Sequence, residues 1–289
     1  MPMPACVRRQ RSGGGMIKAT FGVTQEPFYR SEQALLPQQA EAVEMIQIHA
    51  QHGGFSAIIG HPGVGKSVIR AHLEQLGKGR ESVVVSFTQT LHTYQPILRL
   101  LAESFQVNAS LKDIEKELVQ AATRHVQAQK TLYIVIDDAH LLDIGILRKL
   151  RLLFERFPKK HNLVLLGHPE LMHRLSMMCN EDIKSRISYS RQMLPLHDAD
   201  LTSFIVAELA AVGLGANTFD EAALQVICRA VQGNLRLCRN LCYASLVATC
   251  LDRQRICTVS HVNQALLQPH WRSHEALLKQ QVKSAPVPS

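Results

Sequence analysis

The segment Gly60–Ser67, which reads GHPGVGKS, constrains this chain more than any other feature. It fits the pattern G-x-x-x-x-G-K-[ST], in which a loop wraps backbone N–H groups around the phosphates of a nucleotide. In this pattern Lys66 reaches the β- and γ-phosphates, and the hydroxyl of Ser67 holds Mg²⁺. An apolar run at 55–59 precedes the loop, and helical spacing of apolar residues follows it to Leu76. We therefore predict that the chain binds a nucleoside triphosphate.

The predicted phosphate-binding set comprises the loop and the first turn of the helix behind it. The positive N-terminal end of that helix faces the anion, and its free N–H groups point at the phosphates. The residues assigned to this set are Gly60, Pro62, Gly63, Val64, Gly65, Lys66, Ser67 and Val68.

Two adjacent carboxylates supply the second half of the predicted nucleotide site. The apolar run 131–136 ends at Asp137 and Asp138, about seventy residues after the loop. A strand that ends in a carboxylate places it at the edge of the sheet beside the phosphate loop, where Asp137 can hold Mg²⁺ together with Ser67. Asp138 stands where a hydrolytic protein needs a base to orient water. The alternative is that the two acids only cap a helix or form a turn.

The order of apolar segments predicts an α/β fold. Apolar strands alternate with helices, which indicates a parallel sheet covered on both faces by helices, and after Pro195 the pattern becomes purely helical. The predicted strands are 55–59, 82–87, 131–136 and 162–166, and the predicted helices are 36–51, 67–76, 96–105, 111–129, 142–157, 198–212, 219–231, 234–252 and 258–267. The predicted domains are a disordered basic extension (1–15), an α/β nucleotide-binding domain (16–195), a small all-helical lid (196–268) and a flexible basic tail (269–289).

Charge and cysteine content say little by themselves about partners. The net charge of +8 lies largely in the two ends, so the middle of the chain is only slightly basic. The seven cysteines form no C-x-x-C motif, and no apolar stretch approaches a membrane span of about 18 residues. Cys238 and Cys242 share a helix face and in principle can ligate zinc, although buried core positions are the favoured interpretation. We expect a soluble protein in a reducing cytoplasm, without contact to a membrane.

Five motifs in order resemble the AAA+ ATPases of the ExeA/TniB type. These comprise ATPases of secretion systems and ATPase partners of DDE transposases, with the TnsC and MuB proteins as more distant members. The resemblance covers about residues 16–268. Besides the two nucleotide motifs it rests on FGVTQEPF at 21–28, LLGHPEL at 165–171, and GNLR at 233–236 followed by NLC at 240–242. It implies a P-loop AAA+ core with a helical lid, and ATP and Mg²⁺ as cofactors.

The resemblance assigns roles to three further residues. His168 occupies the position of the sensor-1 polar residue, usually Gln, close to the γ-phosphate; the alternative is a turn residue at a strand end. Arg186 matches an arginine finger offered to the neighbouring subunit, with a solvated arginine as the alternative and Arg191 as the competing candidate. Arg236 matches sensor 2, through which the lid contacts the nucleotide, unless it only forms local pairs. The implied catalytic set is therefore Lys66, Asp138, His168 and Arg186.

Two departures from the family pattern affect this prediction. The usual Asp-Glu pair is Asp137-Asp138 here, and the shorter side chain positions a water molecule differently. We therefore expect slow hydrolysis, which suits a switch better than a motor. Leu235 stands where proline is usual, which leaves Arg236 in place but weakens the argument for its orientation.

Three functions compete at this stage. In the first, the protein assembles as a ring or filament around double-stranded DNA, contacts its phosphate backbone, and recruits a DDE-type transposase. In the second, it supplies energy to a secretion or cell-envelope assembly; such ATPases usually continue into a membrane span, which this sequence lacks, and this favours transposition. The third is a nucleotide-gated interaction protein with little hydrolysis. Candidate DNA contacts are Arg148, Lys149, Arg151, Lys159 and Lys160, and His270–Arg272 is a candidate docking peptide or a tryptophan packed on the lid.

Overall fold

The computed structural model describes residues 13–29, 34–87 and 93–271. These residues form two compact units, one of residues 34–194 and one that joins 13–29 to 195–271. Of the predicted basic extension (1–15) and tail (269–289), residues 1–12 and 272–289 lie outside the described residues. The division differs from the expected boundary at residue 16, since residues 13–29 belong to the helical unit.

The first unit is built on a parallel sheet of five strands in the order β2-β3-β4-β1-β5. The strands are β1 (Gly54–Ile59), β2 (Ser82–Phe87), β3 (Thr131–Ile136), β4 (His161–Gly167) and β5 (Tyr189–Gln192). The four predicted strands are confirmed, and β5 is an additional strand at the edge beside β1. Because β1, β3 and β4 are flanked on both sides, their apolar side chains are buried on both faces, as their sequences require.

Within the described residues the chain forms twelve α-helices. They are α1 (Gly13–Phe21), α2 (Pro37–Ala50), α3 (Lys66–Leu76), α4 (Tyr94–Ser104), α5 (Ile114–Gln127), α6 (Ile144–Phe154), α7 (Pro169–Leu175), α8 (Glu181–Lys184), α9 (Asp198–Ala210), α10 (Glu221–Val231), α11 (Leu235–Leu251) and α12 (Val259–Leu266). The nine predicted helices are confirmed with shifts of a few residues at their ends.

Helices cover both faces of the sheet. On one face, alternate strand residues such as Ile134 pack with α4, α5, α6 and α7. On the other face, intervening residues such as Val135 pack with α2 and α3. The result is a three-layer α/β unit, in which the loops at the carboxyl ends of the strands carry the predicted site. The predicted fold class is therefore confirmed.

The second unit is helical. In it α11 packs against α12, α10 and α1, and α9 packs against α10. Five cysteines are buried in this unit, which confirms the core interpretation for Cys238 and Cys242. Burial raises the pKa of the Cys257 thiol to about 11 and raises that of Cys242 as well. Trp271 is only 3% exposed, which favours a packed tryptophan over a displayed docking peptide.

Candidate functional site

The phosphate loop joins β1 to α3 by a turn that only glycine allows at two positions. Gly63 has φ +86° and Gly65, which caps α3, has φ +102°. Residues other than glycine rarely adopt these backbone angles. Gly60 is required for a different reason, since a Cβ there would lie 2.7 Å from Cγ2 of Val64. The sequence pattern thus folds into a tight loop whose end opens directly into a helix N-terminus.

Lys66 is held beneath this loop. Only 7% of the surface of Lys66 is exposed. Its Nζ donates hydrogen bonds to the carbonyl oxygens of Gly60 at 2.6 Å and of His61 at 3.0 Å. These contacts keep the ammonium group buried at the start of α3 instead of in solvent. Ser67, the next residue, is exposed, and Val68 is half-buried. The first turn of α3 therefore presents a fixed positive charge beside an accessible hydroxyl.

Asp137 lies directly after β3 and is tied to α3. Its Oδ2 accepts a hydrogen bond of 2.7 Å from Nη1 of Arg70, and its Oδ1 accepts one of 3.0 Å from the backbone N–H of Asp138. Arg70 follows Lys66 by one helical turn. The pair shows that the carboxylate reaches the first turns of the phosphate-loop helix. The sequence analysis assigned no role to Arg70.

The donors available for a magnesium ion fit that metal. Mg²⁺ prefers oxygen ligands and binds through one or two carboxylates together with substrate phosphates. Asp137 offers two carboxylate oxygens, and Ser67 an exposed hydroxyl on the same helix as Arg70. These oxygen donors are therefore suitable ligands for Mg²⁺. The guanidinium of Arg70 competes with the metal for one oxygen of Asp137.

Asp138 occupies a sharp turn. Its backbone has φ +51° and ψ +34°, and a 3₁₀ turn at Ala139–Leu141 follows it. An arginine of α7 fixes this turn, because Arg174 donates hydrogen bonds to the carbonyl oxygens of His140 at 2.7 Å and of Leu142 at 2.9 Å. The side chain of Asp138 is 52% exposed, so it projects into solvent at the carboxyl edge of the sheet.

His168 stands at the end of β4 and caps α7. Its ring stacks on that of His140, with ring centroids 3.9 Å apart and an angle of 15° between the planes. Burial, followed by the neighbouring His140 and Lys66, lowers the pKa of His168. The imidazole is therefore favoured in its neutral form, in which one ring nitrogen donates and the other accepts. His168 also lies beside the phosphate loop, because the N–H of Gly60 donates a hydrogen bond of 3.0 Å to the carbonyl oxygen of the preceding residue, Gly167.

Arg186 lies at the other end of the sheet. It comes shortly before β5, where Ser188 is bonded to the backbone of Phe55 at the start of β1. The phosphate loop begins five residues after Phe55. A strand rises about 3.3 Å per residue, so the loop and the region of Arg186 are about 17 Å apart along the strand. The structure therefore does not bring Arg186 together with Lys66 of the same chain. The competing candidate, Arg191, is paired with Glu41 of α2 at 2.6 Å.

A cavity of about 550 Å³ surrounds Arg186 at the amino edge. Its lining includes Arg151, Lys159 and His161, together with the backbone at Gly53 and Gly54. The side chain of Arg186 is 60% exposed, and its Nε lies 3.0 Å from Oε1 of Glu155. Arg186 is thus accessible to a second molecule.

Arg236 lies in the helical unit, exposed in the first turn of α11. The turn before it requires glycine, since Gly233 has φ +79° and a Cβ there would lie 2.6 Å from the carbonyl oxygen of Leu196. Asn234 caps the helix by accepting a hydrogen bond from the N–H of Leu237 at 3.1 Å. Leu235, in the place of the usual proline, is buried. The local frame that holds Arg236 is therefore well defined.

Two of the proposed DNA contacts are engaged within the chain. Nε of Arg148 lies 2.9 Å from Oδ2 of Asp182, and Arg151 pairs with Glu155 at 3.2 Å. These ion pairs connect α6 to Asp182 and Glu155. The role of Arg148 and Arg151 in DNA binding stays a prediction.

Residues 48–175 match the model of the AAA domain. This part of the chain is an AAA domain. It is similar to General secretion pathway protein A (ExeA) of Aeromonas hydrophila, with 28% identity over 246 residues. This match covers 81% of the chain and 45% of the relative, so the chain spans about half of the length of that protein. Among the described residues, no helix combines the length and the apolar character needed to cross a membrane.

Solved structures agree with this assignment at the level of the fold. The ORC2 protein of Aeropyrum pernix, in ADPNP and ADP complexes, matches with a TM-score of 0.64 and 13% identity, covering 93% of this chain and 75% of that one. Cdc6p of Pyrobaculum aerophilum matches with a TM-score of 0.61 and 19% identity, over 86% and 70% of the two chains. At such identities the likeness shows a common fold.

Proposed function

We propose that the chain is an AAA+ protein that binds ATP with Mg²⁺ and hydrolyses it slowly, as a switch built from several copies of the chain. The observation that carries this proposal is the convergence of Lys66, Asp138 and His168 at one edge of the sheet. A cation beneath a glycine-rich loop and a carboxylate that can orient water are parts of the machinery for phosphoryl transfer to water. A neutral imidazole beside them can donate a hydrogen bond to the γ-phosphate.

Each group has a distinct task in the proposed reaction. The N–H groups of the loop and the ammonium of Lys66 hold the phosphates and stabilise the charge that develops on them. Ser67 and Asp137 hold the metal, which when bound offsets negative charge on the phosphates. Asp138 accepts a hydrogen bond from the attacking water, and His168 donates one to the γ-phosphate. Arg236 is proposed to contact the nucleotide from the helical unit.

Slow turnover follows from the side chain at position 138. Aspartate is one methylene shorter than the glutamate usual in this family, and its backbone is fixed by the turn that Arg174 holds. The carboxylate is therefore set back from a water molecule that a glutamate would reach. A position error of about 1 Å can cost on the order of 100-fold in rate.

Arg186 is proposed to complete the site of a neighbouring copy. Its place at the amino edge, about 17 Å from its own phosphate loop, excludes a direct role in the same chain. Its exposed guanidinium is suited to reach outward, because arginine stays charged and spreads several donors over phosphate oxygens. This arrangement requires a homo-oligomer, either a ring or a filament.

Two candidates exist for what the assembly acts on. The first is double-stranded DNA with a DDE-type transposase as partner, which rests on the five ordered motifs of the ExeA/TniB type. Fold neighbours whose structures were solved on DNA, such as ORC1 of Aeropyrum pernix, lend general support. The second is a secretion assembly, which rests on the similarity to General secretion pathway protein A. The first candidate places the protein in the cytoplasm.

Sedimentation and ATP hydrolysis with and without plasmid DNA test these alternatives. We expect ATP-dependent assembly of the wild type and none for Lys66→Ala, which loses the buried ammonium. Lys78→Ala, an exposed residue just after the same helix, is the matched control. Assembly on DNA supports transposition, whereas ATP-dependent assembly without DNA binding rejects that branch and favours the secretion branch. Absence of ATP binding would contradict the proposed function as a whole.

A further inference from the structure

Asp138, His140 and His168 form a compact group at the carboxyl edge of the sheet. Each offers one ligand atom, and the three atoms lie within 4.8 Å of one another. Among the described histidine, cysteine, aspartate and glutamate side chains, this is the one group of three that meets this condition. In particular, the buried cysteines of the helical unit do not form such a group.

His140 is the central member of this group. Its side chain is only 8% exposed, and its Nδ1 lies 4.0 Å from Oδ1 of Asp138. Nδ1 is buried and has no hydrogen-bond partner in the protein. A buried polar atom without a partner costs free energy, which native structures generally avoid unless the atom has a ligand or a task. Arg174 holds the backbone of His140 through a hydrogen bond to its carbonyl oxygen.

We propose that Asp138, His140 and His168 bind a divalent transition-metal ion of the Zn²⁺ class. Two imidazoles and one carboxylate are a donor set typical of zinc and its neighbours, whereas Mg²⁺ takes oxygen ligands. The site is distinct from the magnesium site at Ser67 and Asp137. Three protein ligands leave the fourth position of a tetrahedral ion open for water or a phosphate oxygen.

Metal binding requires the three ligand atoms, which lie within 4.8 Å of one another, to move closer together. Ligand atoms bound at about 2.0 to 2.1 Å to a tetrahedral zinc lie about 3.3 Å apart. The gap between Asp138 and His140 is 4.0 Å, and the exposed carboxylate of Asp138 can rotate to close it. The two rings are stacked 3.9 Å apart in nearly parallel planes, so the ring of His168 has to turn for both ring nitrogens to face the same ion.

Metal binding at this site would inhibit hydrolysis, a consequence that rests on the proposed function. An ion held by Asp138 takes up the carboxylate that orients the attacking water, and it withdraws His168 from the γ-phosphate. Binding of ATP depends on the loop and Lys66, so it should continue. The ion would therefore prolong the ATP-bound state of the switch.

Calorimetric titration of the full chain with Zn²⁺ tests the site without any need for catalysis. The informative variant is His140→Phe, which keeps a ring stacked on His168 and removes the ligand nitrogen. His173→Asn, at an exposed histidine on α7, is the matched control. We expect the wild type and the control to bind Zn²⁺ at least tenfold more tightly than His140→Phe, as is usual when a metal site loses support. Equal affinity in all three proteins, or no binding by the wild type, overturns the proposal.

A second variant separates loss of Zn²⁺ binding from failure to fold. Asp138→Ala changes an exposed side chain, so its helix and sheet content should be unchanged, and it should also lose Zn²⁺ affinity. Hydrolysis of Mg·ATP is then measured with added Zn²⁺, which should slow the wild type severalfold and leave His140→Phe unaffected. A chain that binds Zn²⁺ but hydrolyses no ATP would contradict the proposed function alone. A chain that hydrolyses ATP but binds no Zn²⁺ would contradict the metal site alone.

Discussion

Arg70 donates a hydrogen bond of 2.7 Å to the carboxylate of Asp137, and the pair joins the phosphate-loop helix to the end of β3. The other oxygen of Asp137 accepts from the N–H of Asp138. Both oxygens of the carboxylate are therefore engaged within the protein. Since Arg70 is a cation on the group that is proposed to hold Mg²⁺, the two positive charges compete for one carboxylate.

Replacement of Arg70 by glutamine should lower the Mg²⁺ concentration needed for half-maximal ATP hydrolysis. The change removes the competing charge and keeps a polar side chain on α3. It also leaves a largely buried carboxylate with one partner fewer, which costs about 1–3 kcal/mol of stability when no metal is bound. The melting temperature without Mg²⁺ should fall, and the gain on adding Mg²⁺ should grow. An unchanged Mg²⁺ requirement would show that Arg70 does not compete.

Asp138→Glu should speed ATP hydrolysis, because the added methylene moves the carboxylate toward the attacking water. We expect a severalfold rise in kcat. Asp138→Asn should lower kcat by about 100-fold or more, within the range of general base catalysis, while ATP binding is kept. Steady-state rates and nucleotide affinity measured on the same preparations distinguish the two effects. A glutamate variant no faster than the wild type would show that side-chain length does not limit turnover.

The stability of the α/β unit should fall in mild acid. Burial lowers the pKa of His161, whose Nδ1 is 2.7 Å from the carbonyl oxygen of Pro158, and burial also lowers the pKa of His168. Because the pKa is lowered in the folded state, the unfolded chain binds more protons as the pH falls. The contribution of these histidines to the free energy of unfolding is therefore complete above about pH 6.5 and is lost as the pH falls below it.

His161→Phe should reduce this loss. Phenylalanine keeps the contacts with Phe154 and Phe157 but cannot be protonated. Denaturant unfolding at pH 7.5 and pH 5.5 measures the effect, and the difference between the two values should be smaller in the variant. An equal difference would assign the acid sensitivity to other groups.

The central strands were predictable because burial on both faces demands an unbroken apolar sequence. The run from Thr131 to Ile136 allows little else, and it forms β3 as expected. The edge strand β5 was missed, since its four residues, Tyr-Ser-Arg-Gln, are half-buried or exposed and carry no such signal. The helix α1 was missed because it begins with three glycines, which have low helix propensity. Its packing against α11 outweighs that preference.

The site was predictable where a motif is contiguous and not where it depends on remote partners. The glycines around Lys66 fix the loop by local geometry, so the pattern alone indicates them. Arg70 and Arg174 act on groups 67 and 34 residues away, at Asp137 and His140. Nothing in the spacing of a lone arginine on a helix identifies such a partner. The sheet, which brings the ends of β3 and β4 together, has to be known first.

Mixing two inactive variants tests whether Arg186 acts on a neighbouring copy. Arg186→Ala keeps its own phosphate loop but supplies no guanidinium, and Lys66→Ala supplies the guanidinium but has lost the ammonium of its loop. Each alone should hydrolyse ATP at least 10³-fold more slowly if Arg186 is an arginine finger. In a mixed assembly, a Lys66→Ala copy can present its Arg186 to the intact loop of an Arg186→Ala neighbour, so part of the rate should return.

Arg191→Ala serves as the control. Arg191 lies on β5 and is paired with Glu41 of the same chain, so this variant should stay active alone. Lys66 and Arg186 lie at opposite edges of the sheet in one chain. Recovery of the hydrolysis rate on mixing therefore requires contact between copies. Failure of every mixing ratio to raise the rate would reject the role of Arg186 in trans.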